Sequence, residues 1–447
     1  MPARLKRHYF MKTTTGALFF TLLLGVAIFA RAEAPRYAVQ YVTRVADGSA
    51  TMVNHGGELA GYFFDEEASA HDLGGGPRPF LFSGGKVKTF RAMGKNWHPA
   101  GINDRGDVVG TFGFTVYLYF DGKFSNLSAA THSRLTLAAG INNRGDVAGT
   151  ATTGAFPEAC VYSRGRLMPL GTAAGFTGSQ AVGINPVGQI AGTLTTQTNG
   201  TVTAEHAFLY SAGGIQDLGT AGGFANSEAM AIGRNGEVTG AVFDLPNWAL
   251  QHAFVWQGGS MTDLGTLPGG TSSYATGIDS FGRVVGTSST DANGSSPHGF
   301  VWAGGVMNDV NALIDPAYGV TIRRILAVND AGVITATSGS IFDGGGNSGN
   351  LYLLWPLRDG LHAPKLEVDG GRRRVVHGSR VVLHGTTRGS ACSVTYSSNR
   401  VMAGPFANGA KPWNCSVPLK AGRNVITLVA HGQGGDSRPV TVTVVRK

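Results

Sequence analysis

Charge is what this sequence has least of. Asp, Glu, Lys and Arg make up 14% of 447 residues, against 42% apolar. A disordered chain shows the reverse balance, so disorder is excluded. Cysteine is scarce as well, with 3 in all, too few for a disulfide-dense scaffold. No paired-cysteine or H-x-x-x-H spacing occurs, and neither does a G-x-S-x-G elbow or a phosphate loop. Those absences leave the common metal, serine-hydrolase and nucleotide chemistries without a motif, and neither a metal nor a cofactor is expected.

Long apolar runs are almost missing too. The one run, Gly16 to Ala30, follows Arg4, Lys6, Arg7 and Lys12 and precedes Ala30-Arg31-Ala32, a small-x-small cleavage site. That pattern predicts a signal peptide over 1–32, with Met1 or Met11 as its start. It is short for a membrane span and no second run follows, so the mature chain is expected to be exported, without a transmembrane segment, to the periplasm, the cell surface or the medium. Glycine, by contrast, is abundant at 68 residues without a G-X-Y period; this excludes collagen and points to many tight turns between short strands.

The basic excess sits at one end. Residues 33–363 hold 18 Lys and Arg against 25 Asp and Glu, while 364–447 hold 13 against 3. This asymmetry marks a domain boundary.

A nine-residue phrase recurs seven times before that boundary. Ile102-Asn103-Asp104-Arg105-Gly106-Asp107-Val108-Val109-Gly110 and Ile184-Asn185-Pro186-Val187-Gly188-Gln189-Ile190-Ala191-Gly192 are two of its copies, and the last ends in Ala336 instead of Gly. The ends of successive copies are 49, 39, 43, 48, 46 and 50 residues apart. Asn or Asp followed three places later by Gly suits a type I turn, and the apolar-x-apolar pattern after it suits the strand leaving a hairpin. We label the strands before and after this turn A and B. An aromatic-rich strand C follows, such as His252-Ala253-Phe254-Val255-Trp256, then a glycine turn and strand D, such as Met261-Thr262-Asp263-Leu264. Four strands per roughly 45 residues is the size of a propeller blade. Tyr37 to Val42 precedes the first A strand as a D strand without a blade, while the seventh unit lacks its D strand, so the first strand is expected to complete the last blade and remove an open edge.

His206-Ala207-Phe208, His252-Ala253-Phe254 and His298-Gly299-Phe300, with Asp217-Leu218-Gly219-Thr220 and Asp263-Leu264-Gly265-Thr266, resemble the bacterial extracellular repeat of the HAF family. The resemblance implies an exported protein and no settled biochemical activity. The three histidines recur once per blade and are too far apart to share a metal; they are expected to bond backbone between blades. Cys160 stands where later units have Phe and is expected to be a buried thiol.

Residues 364–447 read as Val-rich strands separated by turns, suiting an immunoglobulin-like sandwich. Leu419 to Ala430 resembles the penultimate hairpin of bacterial Ig-like modules. Cys392 and Cys415, with 22 residues between them, are expected to form a disulfide that stabilises by about 3 kcal/mol. Arg372, Arg373 and Arg374 suggest contact with an anionic surface. No aromatic residues interleave with them, so sequence-specific nucleic-acid binding is not expected.

The expected fold is therefore all-β: a seven-bladed β-propeller over 33–359, then a basic Ig-like β-sandwich over 364–447. The candidate ligand site is the position four before the Ile or Val of each phrase, occupied by Ser49, His98, Leu137, Gln180, Glu228, Tyr274 and Arg324. Framework positions repeat while this one differs in every blade. Its ring of acid, base, phenol and cation suits a polar ligand, with His98, Gln180, Glu228, Tyr274 and Arg324 as contacts. The expected function is a monomeric, non-catalytic binding protein for an envelope glycan or surface protein, tethered by its basic tail. The alternative is a polysaccharide lyase or hydrolase acting at the same channel mouth.

Overall fold

In a computed structural model, the described residues are 36–46, 52–63, 78–90, 97–132, 134–152, 154–245, 247–339, 348–358, 360–389, 391–398, 404–408 and 412–447. The segment 1–32 lies outside them, as do Ser49, Asp65, Glu66, Glu67, His71 and Asp72. Among the described residues, seven four-stranded antiparallel sheets follow one another along the chain. The second is typical: Trp97–Ile102 is strand A, Val108–Phe112 B, Thr115–Phe120 C and Lys123–Asn126 D. In the seventh, Arg324–Val328, Ile334–Thr337 and Ser348–Pro356 take as their fourth strand Tyr37–Ala46, from the other end of the chain. Tyr37 lies opposite Pro356 in that pairing, and Trp355 Nε1 donates to Gln40 Oε1 at 2.8 Å. Each A strand packs against the next, and the seventh against the first, so the sheets close into a ring.

Convergence of seven strands on one axis leaves little room there. A Cβ on Gly101 would sit 2.8 Å from Gly140 Cα, closer than carbon atoms approach. Gly or Ala fills this place in the second through seventh sheets, and in each the A–B register slips beside it. Such a bulge increases local twist, as strands crossing at an axis require. Strand C supplies the core between sheets: Phe80, Phe208, Phe254 and Phe300 are fully buried, each contributing roughly 2 kcal/mol. Cys160 occupies the same place in the third sheet, opposite Gly149 as Phe208 is opposite Gly192. It is a buried free thiol, and burial pushes it up to about 12.

The repeated Asn does two things at once. In the second sheet, Asn103 Oδ1 accepts from the N–H groups of Arg105 and Asp107, capping its own turn. Gly106 closes that turn at φ +79°, a left-handed conformation that favours glycine. Asn103 Nδ2 meanwhile donates to Asn142 O of the next sheet at 3.2 Å. The same inter-sheet bond runs from Asn54 to Asn103 O, from Asn142 to Asn185 O and from Asn185 to Gly233 O. Asn329 donates to Asn54 O at 2.7 Å and closes the circle. The fifth and sixth sheets carry Gly233 and Asp279 in this place, neither of which has an amide to donate. There, Arg234 of the fifth sheet reaches Asp330 of the seventh at 2.9 Å, and Ser280 Oγ donates to Asp330 O at 2.6 Å.

The tail forms two further sheets. Lys365–Val368, Arg380–Arg388 and Trp413–Pro418 make one; Arg373–Val376, Val440–Arg446, Gly422–Gly432, Ala391–Ser398 and Gly404–Asn408 belong to the other. They enclose a core that includes Leu383, Trp413, Val417, Ile426, Leu428 and Val444. The expected Cys392–Cys415 disulfide is not formed. Cys415 is a free thiol inside this core, opposite Leu383 in its sheet, and burial raises it to about 12. Cys392 lies where the register of its strand slips between Ala391 and Ser393, an irregularity that alternation in the sequence does not announce. Its side chain lies outside the described residues.

Two outcomes follow from the ring. Asn103→Ala removes the inter-sheet bond to the Asn142 carbonyl, which keeps only Gly145 N–H, and leaves the buried Asp107 N–H without its partner. It should lower stability by about 2 kcal/mol, read as a shift in the denaturant midpoint, and an unchanged midpoint would contradict the role given to the Asn bonds. Deletion of residues 33–43 removes most of the strand paired with Ser348–Pro356 and should markedly lower the melting temperature.

Candidate functional site

The ring encloses a central cavity of about 320 Å³ lined by all seven A strands, including Ile102, Ile141, Ile184, Ile232 and Ile278. Among the described residues no charged side chain lines it. The two ends of the channel differ. At the end of strand A lies the Asn ring, a polar cavity of about 180 Å³ whose lining includes Asn54, Asn103, Asn142 and Asn185, and whose Arg234 and Asp330 pair across it. This mouth is built of repeated residues that bond to one another.

The variable position lies at the opposite end of strand A. His98 and Gln180 are exposed there, and Glu228, Tyr274 and Arg324 half-buried. The structure does not gather all five. His98 stands edge-on to Tyr62, with ring centroids 4.8 Å apart, and Gln180 projects from the fourth sheet. Leu137 is also exposed, as are Phe112 and Phe114 at the B–C turn of the second sheet, giving that sector an apolar character. Tyr274 and Arg324 do come together, lining a cavity of about 270 Å³ with Met230, Gln251 and Pro297 where the fifth, sixth and seventh sheets meet.

Glu228 faces a different partner. Burial raises its carboxyl above the ordinary value. Glu205, on strand C of the fourth sheet, is pushed up to about 7, chiefly by burial and secondarily by the charge of Glu228. Glu205 Oε2 is shielded from water without a hydrogen-bond partner. Sequence reasoning missed this residue. A signal was available, because Glu205, Gln251 and Pro297 each precede the repeated His and differ from sheet to sheet.

The repeated histidines are corrected. They do not bond backbone between blades. His206 Nδ1 lies 2.9 Å from Asp217, His252 Nδ1 2.9 Å from Asp263 and His298 Nδ1 2.6 Å from Asp309, always from strand C to strand D of one sheet. Each Asp also accepts from the N–H two residues on, at Gly219, Gly265 or Asn311, so the pair pins the C–D hairpin and the turn after it. Two carboxylates stand where strand B passes to strand C: Asp244 accepts from Ala225 N. Asp291 accepts from the N–H groups of Asn293 and Ser295; hydrogen bonds from Ser296 and Ser295 hold its carboxyl below the usual range. Asp244 thus ties the end of strand B to the entrance of strand A, and Asp291 is engaged within its own loop.

In the tail, Arg372 and Arg373 are exposed, whereas Arg374 is turned back onto the carbonyls of Asp369 and Gly371. Among the described residues no helix is long and apolar enough to cross a membrane.

Closed in a ring, these sheets define an all-β protein of β-propeller type. No protein-family model matches the chain, and no curated protein matches it. Among solved structures it is similar to PorZ, a bacterial surface component of the type-IX secretion system of Porphyromonas gingivalis, at 13% identity and TM-score 0.42, covering 89% of this chain and 59% of that one. It is also similar to the extracellular domain of a hybrid two-component system from B. thetaiotaomicron, at 8% identity and TM-score 0.37, covering 92% and 57%. A third similarity is to the β-propeller domain of the trilobed protease of Pyrococcus furiosus, at 10% identity and TM-score 0.35, covering 60% and 96%. The chain spans less than two thirds of the first two proteins.

The raised carboxyl gives a pH signature. Glu205 binds its proton more tightly folded, near pH 7, than at its ordinary value of 4.5. The folded state therefore loses stability as pH rises through that window. Glu205→Gln should melt higher than the natural protein at pH 8 and equally at pH 4; no difference at pH 8 would refute the burial argument.

Proposed function

We propose that this chain is an exported binding protein, a seven-bladed β-propeller followed by a basic Ig-like sandwich. The variable mouth of the propeller binds a glycan or a surface protein, and the tail associates with an anionic surface. The observation that carries this reading is the contrast between the two mouths. One is made of repeated residues bonded to each other. The other carries His98, Gln180, Glu228, Tyr274 and Arg324, all different, beside a cavity that two of them line. A rigid scaffold that repeats everywhere except at one rim suits ligand discrimination. The HAF-like repeat and the signal-like segment support export. Exposed Arg372 and Arg373, in a tail with 13 basic and 3 acidic residues, support attraction to anions.

A second reading rests on Glu205 beside Glu228. A carboxyl near pH 7 suits proton transfer, so the same mouth can be read as that of a polysaccharide lyase or hydrolase.

Retention of the mature protein on envelope polysaccharides separates these readings. The natural protein should be retained, with no product released. Replacement of Arg372, Arg373 and Arg374 by Ser should weaken retention at low salt and matter little at high salt, because screening removes the long-range part. Released product that disappears in Glu205→Gln would establish the enzymatic reading.

A further inference from the structure

We propose that the cavity between the fifth, sixth and seventh sheets takes an oxyanion carried on a polyhydroxylated ligand, an acidic sugar unit, with the Arg324 guanidinium as its partner. This rests on the reading of the variable mouth as the binding face and names the ligand class for it.

Arg324 opens strand A of the seventh sheet and lines the 270 Å³ cavity. Its Nε is shielded from water and has no hydrogen-bond partner. A guanidinium cannot shed its charge, and a buried donor left unpaired is costly, so the site is incomplete as it stands. The charges nearest in kind do not answer it. Among the described residues no carboxylate lines this cavity. Among the described residues no ion pair or hydrogen bond joins Arg324 to Glu205 or Glu228. Arginine in the repeated A–B turns at the opposite mouth is paired: Arg105 with Asp107, Arg144 with Asp146, Arg234 with Asp330 and Arg283 with Asp279. Arg324 departs from that habit at the one mouth that does not repeat.

The rest of the lining fits the remainder of such a ligand. Tyr274, Gln251 and Ser272 offer a phenol, an amide and a hydroxyl, neutral groups that suit sugar hydroxyls, while Met230 and Pro297 give an apolar wall. The volume lies near the low end for small-molecule sites, enough for one unit of a chain that continues into solvent. A fork-shaped cation matches a planar carboxylate in two parallel bonds. A sulfate ester presents the same oxyanion chemistry, and the two sources are told apart by experiment.

Calorimetric titration of the mature protein with trigalacturonate, its methyl ester, galactotriose and a sulfated galactotriose provides the test. An acidic trisaccharide should bind at least about tenfold more tightly than the ester and the neutral sugar; whichever acid wins names the source. Arg324→Gln should remove that preference and Arg324→Lys restore part of it, with melting temperatures confirming that both variants fold. Equal binding of acidic and neutral sugars, unchanged in Arg324→Gln, would overturn the oxyanion site and leave the binding-face reading standing. Binding of none of the four, in a protein that polysaccharides still retain, would likewise overturn this site alone. Binding of none, with no retention on any polysaccharide, would overturn both.

Discussion

The amide of a side chain reaching one carbonyl into the next sheet is the bond on which this ring depends. Seven sheets that touch edge to edge at an axis have no backbone ladder between them, so the seams must be held by packing and by side chains. The buried Asn at the end of strand A meets that need while also fixing its own turn. One residue therefore couples local geometry to global closure. Where it is replaced, by Gly233 and Asp279, the neighbouring seams draw instead on Arg234, Asp330 and Ser280. Asp279 shows the cost: burial raises its carboxyl even with Arg283 at 2.6 Å. An amide in that place would need no counter-ion.

The same economy separates the two ends of the channel. Repetition fills the Asn mouth with groups that bond to one another. The opposite rim is released from that duty because bulges and small residues have already settled the strand crossing below it. Its side chains can differ without loosening the ring, and they do. The second and third sheets expose Phe112, Phe114 and Leu137, the fourth and fifth bring Glu205 and Glu228, and the sixth and seventh Tyr274 and Arg324.

Much of this was readable in residues. The phrase with Asn and Gly at fixed spacing announced the A–B hairpin, alternation and aromatic clustering announced strand C, and the unpaired strand at Tyr37 to Val42 announced its partner across the ring. What escaped the sequence was pairing at a distance. An Asn can be recognised as a turn residue from four letters, but its acceptor 39 residues away, as for Asn103 and Asn142, has no local mark. The His–Asp pairs did have one, a constant separation of 11 residues, which is the length of a C–D hairpin returning on itself. Glu205 lies on strand C, whose variable place before the repeated His is masked by the aromatic pattern that follows it. The disulfide was inferred from composition and compartment, neither of which detects the slipped register beside Cys392.

The strand that completes the seventh sheet comes from the start of the chain, so the bond between Gln40 and Trp355 joins residues 315 apart. During synthesis every shorter chain has an unfinished seventh sheet, and Tyr37–Ala46 waits with its hydrogen-bonding groups unpaired. The ring cannot lock piece by piece. Its final cooperativity arrives with residue 356, and until then two edges stand open to a wrong partner. A truncation anywhere before that point thus yields not a smaller propeller but a chain with two sticky ends.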